Sequence, residues 1–247
     1  MTDLPKLELI QPDWPAPANV RAFSTTRNAG FSQHPWDSLN LGGNCGDDPR
    51  NVRKNRQLLG SLLPSNPYWL RQVHETHVVN LDGDDAPSID ADASATTRVE
   101  KVCAILTADC LPVLFCDKAG TRIAAAHAGW RGLANGVLET TVAAMDCNPG
   151  DVLAWLGPAI GPKAFEVGQD VVDAFTQAQA ENMVAFKPHG DRWLADLYEL
   201  ARLALARVGL NHVSGGQYCT HTQKDKFFSY RRNGETGRMA TMIWLTN

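Results

Sequence analysis

An α+β fold built on mixed or antiparallel sheets is predicted for these 247 residues. Strand-like segments come in pairs and runs rather than in strict strand–helix alternation, which favours mixed or antiparallel sheets over a doubly wound one. No GxGxxG or GxxxxGKS/T loop is present, which excludes nucleotide binding through either loop.

Short runs rich in Val, Ile, Phe and Trp predict strands near Val20–Thr25, Tyr68–His74, Val102–Leu106, Val113–Asp117, Arg122–His127 and Val152–Leu156. Two more, Phe227–Arg231 and Arg238–Leu245, flank the turn Asn233-Gly234-Glu235-Thr236-Gly237 and predict a hairpin. Helical periodicity covers Leu133–Met145, Gln169–Ala180 and Trp193–Val208. In the last, Leu194, Leu197, Leu200, Ala201, Ala204 and Val208 share one face, a core stripe without functional weight. The linker-like Asp82-Gly83-Asp84-Asp85-Ala86-Pro87-Ser88 continues its acidity through Asp90 and Asp92. It reads either as an exposed loop or as part of a site. No repeat and no change of composition divides the chain, so residues 1–247 are read as one domain.

Composition is that of a globular protein, 44% hydrophobic and 20% charged, with a net charge of -4. That balance argues against a nucleic-acid binder. No run approaches the roughly 18 apolar residues of a membrane span, and Met1-Thr2-Asp3-Leu4-Pro5-Lys6 does not look like a secretory signal. A cytoplasmic protein with reduced thiols is expected, and a special cysteine among the six then binds metal or does chemistry. No exposed apolar stripe stands apart from the core pattern, so no particular oligomer is predicted.

Three segments gather uncommon polar residues beside tight turns: Trp69 to His74, Thr107 to Pro112, and Ala125 to Gly132. Alone, each histidine reads as a hydrogen-bonded structural residue and each cysteine as a small buried hydrophobe, as Cys103 and Cys116 do. His74, Cys110 and His127 differ in sitting at strand ends or bends, where side chains can converge on one cleft. At Cys110, between Asp109 and Pro112, the chain is expected to leave strand geometry. Two imidazoles and a thiolate leave a fourth tetrahedral position open, as catalytic zinc requires. A helix opening at Gly129-Trp130-Arg131-Gly132 offers anion-binding N–H groups beside the Arg131 fork, unless Arg131 is a surface cap. Ser229-Tyr230-Arg231-Arg232 is a second cationic cluster or a solvated hairpin.

These segments, with Ser24-Thr25-Thr26-Arg27, Ser38-Leu39-Asn40-Leu41-Gly42, Gln72-Val73-His74, Leu156-Gly157-Pro158-Ala159-Ile160-Gly161-Pro162 and Phe228-Ser229-Tyr230-Arg231-Arg232, closely resemble the YfiH-like, or laccase-domain, family. The resemblance runs nearly end to end. It implies a four-layer α/β/β/α sandwich with His74, Cys110 and His127 as zinc ligands. It also implies phosphorolysis of adenosine, inosine and methylthioadenosine, and deamination of adenosine. Asn40, Gln72 and Arg27 are suspected site residues on the same ground. A multicopper laccase needs about ten histidines, mostly in His-x-His pairs, whereas this chain has 7 and no such pair. Copper still outbinds zinc at such a site in vitro, so weak oxidase activity on copper loading would be a loading artefact.

For deamination, zinc lowers the pKa of water toward roughly 7 for attack on the purine C6, and a carboxylate carries the proton to the leaving ammonia. Asp109 and Glu166 are the candidates, Asp109 only if the chain bends there. For phosphorolysis, Arg131 and Arg231 are candidates for holding phosphate. A rival reading makes Cys110 a nucleophile with His127 or His74 as base, acting on an amide such as that of a peptidoglycan precursor. A zinc-stabilised binding module would need a fourth ligand, and His77 falls on the opposite face of a regular strand.

Overall fold

The computed structural model describes residues 6–83 and 90–247; most of the linker-like acidic segment, Asp84 to Ser88, lies outside them. The class is α+β, with three sheets. A five-stranded sheet runs in the order Leu9–Ile10, Val20–Thr25, Met239–Leu245, Cys103–Thr107, Tyr68–Trp69. A six-stranded sheet runs His212–Gly215, Val152–Leu156, Leu111–Asp117, Ile123–Ala128, Ala93–Thr96, Val78–Asn80. Glu166–Val167, Arg192–Ala195 and Phe186–His189 form a small antiparallel third. Both large sheets are mixed, with parallel pairs at their edges.

Leu111–Asp117 is buried along its whole length and explains the layering. Its residues alternate between two apolar clusters. Leu111, Val113 and Phe115 pack with Leu138, Val172 and Leu200 from the helices Val137–Ala144, Gln169–Thr176 and Leu197–Arg207. Leu114 and Cys116 face the other way, against Ile105 and Ile243 of the five-stranded sheet. On that sheet's far side Phe23, Ala104 and Met242 pack with Leu58 and Leu59 of the helix Pro49–Gly60.

Local chemistry sets the boundaries. Asp48 caps Pro49–Gly60 by accepting from Arg50 N, with proline in the first turn. This helix was not anticipated, because only Val52, Asn55, Leu58 and Leu59 of its residues are buried. The helix expected over Leu133–Met145 is two, Trp130–Ala134 and Val137–Ala144, broken at Gly136 in the left-handed region (φ 93°). The expected helix start at Trp193 is instead strand, and Asp196 caps the helix from Leu197. The expected Phe227–Arg231 strand and its hairpin are also corrected. Ser229 caps a helical turn over Tyr230–Asn233 by accepting from Arg232 N, so Met239–Leu245 pairs elsewhere. Past Trp69, the expected Tyr68–His74 strand continues only as an isolated bridge, Arg71 to Asp90.

Candidate metal centre

His74, Cys110 and His127 converge, their ligand atoms all within 4.8 Å of one another. Each is delivered by a different device. His127 lies one residue from the end of Ile123–Ala128, opposite Pro112. Cys110 immediately precedes Leu111–Asp117, and the break from strand geometry is made by Asp109, whose φ is 87°. Pro112 itself stays in the strand. His74 sits on a turn with φ 65°; neither conformation is easy for a residue with a Cβ.

Asp92 is fully buried and organises two of the three. Its carboxylate accepts from the backbone N–H groups of Val73, His74 and Glu75 at 3.2, 3.0 and 2.8 Å. It also takes His127 Nδ1–H at 2.8 Å, which leaves Nε2 as the atom that could ligate a metal. Burial opposes the charge on Asp92, but His127 and these N–H groups hold its carboxyl below the usual range. Asp109 does the same service for Cys110. It accepts Thr220 Oγ1 at 2.6 Å, Ser229 Oγ at 3.0 Å and Arg231 N at 2.7 Å, tying the bend to the C-terminal quarter of the chain.

Burial alone would raise the Cys110 thiol, yet the charge of His127 and hydrogen bonds from His127 and His74 bring it down to about 6. Burial would lower His127, but the Cys110 thiolate and Asp92 push it up to about 9. A depressed thiol beside two imidazoles is a donor set suited to zinc. Gly129 completes the fit. A Cβ there would lie 2.9 Å from His74 Cδ2, 3.2 Å from Cys110 Sγ and 3.5 Å from His127 Cε1. The three side chains close over a spot that only glycine leaves open.

The three residues line a cavity of about 620 Å³, together with Trp69, Gln72, Thr107, Tyr230 and the loop from Gly42 to Cys45. Three arginines also line it: Arg56, Arg71 and Arg238. No Asp or Glu does among the described residues. Gln72 contributes wall, but both ends of its amide are spent on the Leu106 backbone at 2.8 Å. Asn40 is fully buried behind the wall, where it accepts from Gly42 N and Arg238 N. Arg131 and Arg231 do not line the cavity. Arg131 stacks on Trp130 at 4.2 Å, and Arg231 gives Nη1 to the Glu166 carbonyl and covers Phe165. Glu166 is half-exposed, with His189 and Arg192 as side-chain partners. Arg27 is tied to Asp37 and covers Phe228, and His77 bonds the Asp90 carbonyl instead of joining the cluster.

Residues 21–246 match the family described as multi-copper polyphenol oxidoreductase laccase. The chain is 55% identical over 240 residues to the purine nucleoside phosphorylase YfiH of Escherichia coli, covering 96% of this chain and 99% of that one. Against the purine nucleoside phosphorylase PA4543 of Pseudomonas aeruginosa it is 53% identical, covering 96% and 98%. Among solved structures, NMB0706 of Neisseria meningitidis superposes with a TM-score of 0.92 at 53% identity, covering 97% of this chain and 99% of that chain. YlmD of Geobacillus stearothermophilus gives 0.89 at 29% identity, covering 99% and 100%. With matches of this extent, the chain belongs to the YfiH-like, laccase-domain family.

Proposed function

We propose that the protein is a zinc-dependent purine nucleoside phosphorylase, cleaving adenosine, inosine and methylthioadenosine with phosphate. The observation that carries this reading is a three-ligand cluster at the wall of a cavity large enough for a nucleoside. Nearly full-length relatives that bear the phosphorylase name support it. Zinc, when bound by His74, Cys110 and His127, supplies Lewis-acid polarisation of an oxygen or nitrogen of the substrate. Tyr230, exposed at the cavity wall, offers an aromatic face for a purine, Trp69 being covered by Arg56, and the arginines offer compensation for anionic charge.

Deamination of adenosine is the secondary activity in this proposal. It needs a proton carrier, and the cavity wall holds no carboxylate among the described residues. For Asp109 we propose a positioning role, because its oxygens already accept from three partners. For Glu166 we propose a surface ion-pair role. The cytoplasm is the proposed compartment, since a thiolate ligand must stay reduced. The helix–sheet–sheet–helix order of the apolar clusters is read as a four-layer α/β/β/α sandwich, and residues 1–247 as one catalytic domain.

A second reading, a Cys–His amide hydrolase, is favoured by one observation: the Cys110 thiol brought down to about 6 beside His127. Product identification by mass spectrometry separates the two. Zinc-loaded protein with adenosine should release adenine and ribose-1-phosphate only when phosphate is present, and chelation should stop it. Adenosine returned unchanged would end the phosphorylase reading. Zinc inhibition of amide cleavage would then support the hydrolase.

A further inference from the structure

Arg56 and Arg238 both touch the Gly42-Gly43 dipeptide at the cavity wall. A Cβ on Gly42 would lie 2.7 Å from Arg238 Cγ, and one on Gly43 would lie 3.8 Å from Arg56 Nη2. Arg56 is fixed by two bonds to the Leu41 carbonyl, at 3.0 and 2.8 Å, and by stacking on Trp69 at 4.2 Å. Arg238 is fixed by Nη1 to the carbonyls of Thr236 and Gly237 at 2.8 and 3.0 Å. Asn40 Oδ1 accepts both Gly42 N and Arg238 N at 2.9 Å, so one buried amide sets the loop and the second arginine in register.

What these groups lack is an acceptor. Among the described residues no carboxylate pairs with Arg56 or Arg238, whereas Arg71 on the same cavity is paired with Asp90. Arg56 Nη1, Arg238 Nε and Nη2, and the backbone N–H groups of Gly43, Asn44 and Cys45 have no acceptor among them either. Burial lowers the Arg56 pKa with nothing to offset it. Half-buried guanidinium groups without a counter-charge, beside loop N–H groups open at the cavity wall, form a donor set suited to an oxyanion.

We propose that Arg56, Arg238 and the N–H groups of Gly43, Asn44 and Cys45 form the binding site for a phosphate oxyanion, on the same cavity as the metal centre. The site takes the place that sequence reasoning gave to Arg131 and Arg231. The choice of phosphate as co-substrate rests on the phosphorolysis reading; the presence of an oxyanion site does not.

The test measures equilibrium phosphate binding by phosphorus NMR titration and the KM for phosphate, on zinc-loaded full-length protein. Arg238→Gln should raise both by about tenfold or more, with KM for adenosine moved less than about twofold. Arg56→Lys, which keeps charge but loses the fork, should show a smaller rise. Arg53→Gln, an exposed cation on the same helix, should change neither. Adenosine monophosphate is titrated in parallel. If it displaces phosphate through Arg238, a nucleotide phosphate is the natural source; if phosphate stays bound, the free ion is. Absence of phosphate and nucleotide binding in wild type, or affinities for both left unchanged in both arginine variants, overturns the site. Phosphate bound through Arg238 by a wild type that never releases adenine would sink phosphorolysis and leave the oxyanion site standing.

Discussion

Asp92 Oδ1 and His127 Nδ1 face each other at 2.8 Å, with the carboxylate fully buried and the ring 3% exposed. The same carboxylate holds the turn that carries His74. One side chain therefore fixes the tautomer of one candidate ligand and the backbone of another.

Asp92→Asn should lower zinc affinity by about 10- to 100-fold, read by competition with a chelating dye. The amide can turn its NH₂ toward Nδ1, which favours the tautomer with hydrogen on Nε2, the atom needed for the metal. Wild-type zinc affinity in this variant would show that the pair does not set the tautomer.

Metal-free protein should show a pH-dependent Cys110 alkylation rate that rises through about 6 and is already high at neutral pH. The sign is that of a thiolate favoured by His127 and His74. Peptide mapping isolates Cys110 from the other cysteines; zinc should protect it, and His127→Ala should move the inflection upward. An inflection near the ordinary thiol value in wild type would contradict the coupling.

Acid should unfold the metal-free protein partly through Asp92. Its folded-state pKa is lowered, so its contribution is present above the unfolded carboxylate value and is lost as pH falls through the folded value. Thermal melts of wild type and Asp92→Asn should therefore converge as pH drops below about 4. A gap that stays constant with pH would assign the difference to packing.

Gly129→Ala should keep its fold and lose metal. Gly129 has φ -61° and ψ 154°, which alanine adopts freely. Its Cβ would nevertheless sit 2.9 Å from His74 Cδ2. Overpacking of about 1–3 kcal/mol predicts zinc affinity down roughly tenfold or more, with the metal-free melting temperature little changed. Equal losses of both would point to a general structural role.

The candidate ligands His74, Cys110 and His127 were legible as polar residues at strand ends or bends and, as a set, through the family resemblance; their convergence is a three-dimensional finding. The central strands were legible as Val-, Ile- and Phe-rich runs. Asp92 was harder: it ends an acidic run that reads as solvated, and the strand after it, Ala93-Ser94-Ala95-Thr96, has no large apolar residue to announce burial. Arg56 was hidden on a helix of low hydrophobicity, and Arg238 at the start of a strand. Their lack of counter-charge is a three-dimensional property. Ser229 shows the opposite failure, since Phe227 and Phe228 are fully buried without being strand.

Asp109 and Thr220 are 111 residues apart, and Ser229 and Arg231 come later still. All three candidate ligands therefore precede in sequence the segment that locks the bend at Cys110. A chain cut short before Thr220 is expected to keep the thiol and both imidazoles but to lose the clasp that aims Cys110 at them.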